Sequence, residues 1–205
     1  MKHFIIILTL VIGIYSCKKD NPGLVFSSKT FPNDIGDHWR YKYTYNGQNN
    51  SYIDVDIINQ KTLPNGQSAL VWVYKILSNT DTVLVTSNND STIIYENFCS
   101  TCPNPTLYVR MKYFFPLQTG NIWFGDFIWG DTTKVLNNNS LTVPAGTYTN
   151  TFELSKKIGY VVNSVTKNEI WFTPNVGLTK LNQYELNLGP VLGNGLWELD
   201  NYLVK

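Results

Sequence analysis

WRYKYTYNGQNNSYIDVDI, residues 39–57, reads as a β-hairpin and sets the terms for the whole chain. Trp39, Tyr41, Tyr43 and Tyr45 fall on one face of an extended strand, and Arg40, Lys42 and Thr44 fall on the other. Asn46-Gly47 follows, and both residue types accept the positive φ that a two-residue hairpin turn requires. Ile53, Val55 and Ile57 then alternate with Asp54 and Asp56. Alternation at period two recurs along the chain, and helical periodicity hardly appears. Leu63-Pro64-Asn65-Gly66 turns the chain, and residues 69–77 are apolar on both faces, as for a strand covered on two sides. Segments 82–86 and 92–98 complete a first group of strands. A second group is expected over 107–115, 122–129, 147–156, 160–165, 169–173 and 178–186, with a closing strand over 196–204. The stretch 189–195 is expected to be irregular.

The hairpin is preceded by FPNDIGDHW at 31–39, and the same frame returns as FPLQTGNIW at 115–123. Each is Phe-Pro, three residues, Gly, two residues, Trp. Leu63-Pro64-Asn65-Gly66 is matched by Val143-Pro144-Ala145-Gly146, a turn recipe in which Pro presets φ. Val85-Thr86-Ser87-Asn88 is matched loosely by Phe172-Thr173-Pro174-Asn175. Three landmarks in the same order imply two copies of one meander, over about 31–98 and 107–186. Pro32 and Pro116 cannot donate a ladder bond, so they precede strands. Gly36 and Gly120 permit a left-handed turn. Trp39 and Trp123 then enter the first strand of each copy, as plugs for the end of a curved sheet. The functional alternative is a paired ligand platform of the two rings. The expected fold is all-β: a curved antiparallel sheet or partly open barrel of about 10–12 strands built from two similar halves.

Charged residues make up 15% of the chain and aromatics 14%. Low charge with many Tyr, Trp and Asn suits an exported β protein. The start, MKHFIIILTLVIGIYSCKKD, has one lysine and then an apolar run from Phe4 to Tyr15. That run is too short to span a bilayer and suits a signal-peptide core. Ile14-Tyr15-Ser16-Cys17 resembles the lipobox of bacterial lipoproteins. The resemblance implies a signal peptide over 1–16, cleavage before Cys17, and a diacylglyceryl thioether on its sulfur. Stable anchoring takes two or more acyl chains. A plain secretory signal, with Cys17 incidental, is the alternative. Residues 17–28 read as lipidated Cys and polar tether, and 29–205 as a single β domain. The tether resembles those of Bacteroidetes lipoproteins, which implies an outer-membrane anchor on the periplasmic or surface side. The 189 residues left after position 16 carry 15 basic and 15 acidic residues, a formal charge of zero, so nucleic acid is a poor partner.

Cys99 and Cys102 remain in ENFCSTCPNP. A redox pair wants a helix N-terminus, and Pro103-Asn104-Pro105 opposes a helix. A metal site wants further Cys or His ligands, and after Cys17 only His38 is available. A disulfide clipping a short loop is the favoured reading, contributing at most about 2 kcal/mol.

YFFPLQTGNIW (113–123), LTVPAGTYTNTFEL (141–154) and EIWFTPNVGLTKL (169–181) form a further pattern: PxxxGxxW, then VPAGT, then VGL-x-K. It resembles exported bacterial proteins of unknown function and curved half-barrels of the LolA/LolB type. That resemblance implies an apolar concave face able to take acyl chains. Those carriers pack helices inside their sheet, and no clear helix is legible here.

Candidate chemistry is sparse. Asp54 and Asp56 share a strand face about 7 Å apart, a spacing conceivable for paired carboxylates, but a solvated face is the commoner reading. Asp126 and Asp131 flank Trp129 in GDFIWGDT, an aromatic–carboxylate combination that suits sugar binding and equally suits a hairpin with polar turn residues. Nucleophile elbows, phosphate loops and zinc-protease helices are absent from the sequence. No catalytic residue, metal or cofactor is expected. The reading is a membrane-anchored, non-enzymatic binding or structural lipoprotein. Its expected ligand is apolar or a glycan, on a concave face lined by Trp39, Trp123 and their neighbours. The alternatives are a half-barrel lipid carrier and a carbohydrate-binding protein using Asp126, Trp129 and Asp131.

Overall fold

A computed structural model describes residues 30–97, 107–125, 131–158, 165–186 and 191–205. Cys17, Cys99, Cys102, Asp126, Trp129 and the segment 160–164 lie outside the described residues. The described backbone forms twelve strands and no α-helix. β1 (His38–Tyr45), β2 (Gln48–Thr62), β3 (Ser68–Ile76), β4 (Asn79–Ser87), β5 (Ser91–Asn97) and β6 (Leu107–Phe114) make one meander. β7 (Ile122–Phe124), β8 (Thr132–Val143), β9 (Gly146–Ile158), β10 (Val165–Thr173), β11 (Gly177–Leu186) and β12 (Val191–Leu203) make a second. All lie in one antiparallel sheet, in the order β6-β5-β4-β3-β2-β1-β12-β11-β10-β9-β8-β7. β1 pairs with β12 and welds the two meanders. β6 and β7, joined by only seven residues, are the two free edges, so the sheet is open.

The two copies of the Phe-Pro frame carry the same hydrogen bonds. Gly36 N donates to Ile57 O at 2.9 Å, Asp37 N to Asp34 O at 3.0 Å, and Ile57 N to Asp37 O at 3.0 Å. In the second copy Gly120 N donates to Val135 O at 2.9 Å, Asn121 N to Gln118 O at 3.0 Å, and Val135 N to Asn121 O at 2.9 Å. Both glycines have φ of 93°, where a side chain would be strained. The frame thus makes a tight turn whose last residue clips onto the second strand of its meander. The Pro-containing turns also coincide, joining β2 to β3 and β8 to β9.

Several sequence expectations are corrected. Residues 107–114 end the first meander instead of opening the second. Within 122–129, the described strand is only Ile122–Phe124. β8 is a strand where none is expected from the sequence, and Asn137-Asn138-Asn139, a residue type depleted in strands, lies inside it. In the sheet Asn137 Nδ2 donates to Glu153 Oε2 and Asn138 Nδ2 to Asn150 Oδ1, both at 2.7 Å on β9. Cross-strand side-chain bonds and two ladder irregularities accommodate the run. Gly193 and Gly195, expected in an irregular piece, lie within β12, Gly195 opposite Tyr45 of β1 and Gly193 opposite Glu185 of β11. A Cβ at Gly193 would overlap the Tyr45 hydroxyl, and one at Gly195 would crowd the Tyr43 ring. Aromatic rings of β1 occupy the space the glycines leave, which restores the packing that bare glycines lack.

Alternation sorts the side chains as the hairpin requires. Trp39 and Tyr41 on β1 and Ile53, Val55 and Ile57 on β2 enter one core with Trp72, Val83, Val85, Ile94, Met111 and Tyr113. The same core takes Trp123, Val135, Phe152, Leu154, Ile170, Phe172, Trp197 and Leu199 from the second meander. One core spanning both halves means that the sheet curls on itself. On β3, Ala69, Val71 and Val73 are buried on the face opposite Trp72, so this strand is covered on both sides.

Candidate functional site

The concave face was the expected ligand site. It is filled by its own rings. Phe31, just before the first frame proline, stacks on Phe172 at 5.5 Å and 9° and on Trp72 at 5.7 Å. Trp39 stacks on Trp72 at 5.1 Å, and Tyr113 meets Phe172 at 5.5 Å. Tyr113 belongs to the edge strand β6 and Phe172 to β10, so the cluster bridges opposite sides of the curled sheet. The polar handles of these rings are satisfied locally, which makes their burial affordable. Trp39 Nε1 donates to Val176 O at 2.7 Å, Tyr41 Oη to Leu178 O at 2.9 Å, and Trp72 Nε1 to Asn33 Oδ1 at 3.0 Å. Burial pushes the Tyr41, Tyr74 and Tyr113 phenols above the ordinary tyrosine range.

Beyond the ring cluster a cavity of about 80 Å³ remains, lined by Tyr74, Ile94, Arg110, Met111, Tyr113, Asn168, Ile170, Leu178, Leu181, Gln183 and Trp197. Ligand pockets commonly run from roughly 300 to 1,000 Å³, so this space suits a few waters. Arg110 lies 5.9 Å over the Tyr74 ring and 3.8 Å from Asp81. Asn168 Oδ1 is buried without a hydrogen-bond partner. Two larger clefts, of about 510 and 440 Å³, open on the surface on either side of residues 31–35 and share Asn33, Asp34 and Ser87.

The two tryptophans of the repeated frame are both buried, at 1% exposure for Trp39 and 8% for Trp123. They do not form a pair. Trp39 packs on Trp72, while Trp123 meets Phe114 edge-on at 5.7 Å. Asp131 points inward and forms an ion pair with Lys156 at 2.9 Å, both side chains being buried. Lys156 Nζ also donates to Arg110 O at 2.6 Å, and Trp123 Nε1 donates to Lys112 O at 3.0 Å. Both acceptors are backbone carbonyls of β6. The gap between the free edges is therefore bridged by side chains of the second meander. Sequence reasoning missed Lys156. Its signal was Lys156-Lys157 inside a strand, where alternation forces one lysine inward.

Asp54 and Asp56 lie on the outer face, and each is tied to a cation. Arg40 Nε and Nη2 donate to Asp54 at 2.7 and 3.1 Å. Lys75 Nζ donates to Asp56 Oδ2 at 2.8 Å, and His38 Nδ1 lies 2.7 Å from Asp56 Oδ1. Burial by itself would raise the Asp56 pKa, but the bonds from Lys75 and His38 outweigh it and hold the carboxyl below its usual range. The pair thus acts as the centre of a surface ion network. Among the described residues no cluster of three or more His, Cys, Asp or Glu is placed to hold a metal ion.

No protein-family model matches the chain, and no curated protein does. A solved structure from Bacteroides fragilis, described as an exported protein with a YmcC-like fold, is similar at 14% identity. The match covers 85% of this chain and 98% of the other, with a TM-score of 0.47.

Proposed function

We propose that this chain is a lipid-anchored protein of the bacterial cell envelope with a non-enzymatic, structural or protein-binding role. The anchor rests on the apolar run Phe4–Tyr15 ending in Ile14-Tyr15-Ser16-Cys17. The outer membrane is its proposed location. The observation that carries the non-carrier part is the ring cluster of Phe31, Trp39, Trp72, Tyr113 and Phe172, which leaves about 80 Å³ of interior space. An acyl chain would need those rings displaced, at a cost of several kcal/mol of buried aromatic contact. Recognition then falls to the outside of the sheet and to the clefts beside residues 31–35.

Two measurements test this. Growth with an alkyne fatty acid, followed by mass analysis of the purified protein, is expected to place the label on Cys17; unlabelled protein would remove the anchor. Native mass spectrometry of the chain from residue 17 onward, carrying Cys17→Ser and purified from its own host, is expected to give the bare mass. A co-purifying acyl lipid would overturn the filled interior and restore the carrier reading. The same mass reports whether Cys99 and Cys102 are bridged, by a deficit of two hydrogens.

A further inference from the structure

We propose that the outer face of the β6–β7 seam is a docking surface for an anionic lipid membrane. Ile122 and Phe124 are 55% and 75% exposed on the outer face of β7, and Phe114 of the facing edge strand β6 is 40% exposed. Trp123, between the first two, turns inward and meets the Phe114 ring edge-on at 5.7 Å, which sets Phe114 of β6 against β7 across the seam. Lysines surround it. Lys134 stands opposite Ile122 in the ladder; Lys157 stands opposite Thr132, which in turn faces Phe124. Lys112 shares the outer face of β6 with Phe114. Among the described residues no carboxylate pairs with any of these three lysines, and the nearby Glu153 accepts from Asn137 instead.

Unpaired ammonium groups around exposed Phe and Ile match the chemistry of an anionic interface. The apolar groups enter the headgroup boundary while the lysine stems reach lipid phosphates. A peptide adding to the β6 edge is disfavoured, because the Arg110 and Lys112 carbonyls are already taken by Lys156 and Trp123. The position also fits. Phe31, at the start of the described chain, contacts Phe115 at 6.4 Å, and Phe115 follows Phe114. Phe31 thus lies near the β6 end of the seam, and the 14 residues from Cys17 to Thr30 span at most about 50 Å. The inference rests on the envelope location proposed above but not on lipidation.

The test uses the chain from residue 17 with Cys17→Ser, so that binding owes nothing to an acyl chain. Sedimentation with vesicles of phosphatidylglycerol and phosphatidylethanolamine is compared with phosphatidylcholine vesicles. The protein is expected to pellet with the anionic vesicles, at least about tenfold better than with the neutral ones, and to be released by added salt. Phe124→Ser and the double variant Lys134→Glu/Lys157→Glu are each expected to lower partitioning about tenfold. Leu77→Ser, at an exposed turn far along the sheet, is expected to change nothing. Failure to pellet, equal binding to both vesicle types, or seam variants that bind like the parent protein would overturn the proposal. A strand-adding protein partner would show the last of these patterns. Because every seam variant is at an exposed position, unchanged circular dichroism keeps loss of binding separate from loss of fold. Loss of Cys17 labelling with vesicle binding intact would sink the anchor alone.

Discussion

Trp123 on one free edge of the sheet donates its indole N–H to the carbonyl of Lys112 on the other, at 3.0 Å. In the equivalent place of the first copy, Trp39 donates to the Val176 carbonyl at 2.7 Å. The repeated frame therefore delivers an indole donor to a backbone acceptor twice, once inside a welded sheet and once across an open seam. Trp123→Phe keeps most of the ring and removes the donor, leaving a carbonyl of the edge strand unsatisfied. The expected loss is about 1–3 kcal/mol, read as a lower urea midpoint with unchanged slope. A midpoint identical to the parent protein would mean that water replaces the indole without cost.

Lys156 on β9 and Asp131, just before the start of the neighbouring β8, are a buried ion pair, and Lys156 also reaches across the seam to the Arg110 carbonyl. Removing the lysine alone leaves a buried carboxylate without its partner, so Lys156→Met is expected to cost about 3–5 kcal/mol. Lys156→Met/Asp131→Leu removes both charges and is expected to recover most of that loss. A double variant whose loss equals the sum of the two single losses would show that the residues do not act as a pair.

Legibility in the sequence followed the strength of the local signal. The Trp39–Ile57 hairpin, the Pro-Gly turns and the duplicated frame were readable because alternation and positive-φ residues are local physics. β8 was not readable, since the cross-strand bonds of Asn137 and Asn138 exist only once β9 is alongside. Gly193 and Gly195 pointed the wrong way for the same reason: the rings that cover them come from Tyr45 and Tyr43, some 150 residues earlier. The aromatic content of the concave face was legible, but its filling was not. It depends on Phe31, which lies before the first strand and enters the interior as a fifth ring. The inward turn of Asp131 was hidden by its neighbours Trp129 and Gly130, which suggested a surface hairpin.

Asp56 gives a pH signature with a definite sign. Its pKa in the fold is held below the unfolded value by Lys75 and His38, against a burial effect in the other direction. Its contribution is therefore present above about pH 4, the ordinary carboxylate range, and is lost as pH falls through the folded value. In urea titrations, the stability difference between the parent protein and Asp56→Asn should be largest at neutral pH and shrink on acidification below that range. A difference that holds constant down to the acid transition would mean that the network around Asp56 does not couple to folding.

The glycine positions in β12 provide the sharpest test of how the two meanders are welded. Tyr45 lies over Gly193, and Tyr43 lies over Gly195 and meets Trp197 edge-on at 6.4 Å. Gly193→Ala places a methyl group where the Tyr45 hydroxyl end now sits. The backbone there is held on both sides: Gly193 stands opposite Glu185 in the ladder to β11, and Asn46 N, just past β1, donates to Asn194 O at 2.8 Å. The ring must move, and overpacking of this kind costs about 1–3 kcal/mol. Ordinarily Ala is better than Gly in a strand, so a loss here has the opposite sign to intrinsic preference. In a Tyr45→Ala background the ring is gone, and Gly193→Ala is expected to become neutral or stabilising. If the glycine substitution costs the same with and without the tyrosine, the ring is not what selects glycine at position 193.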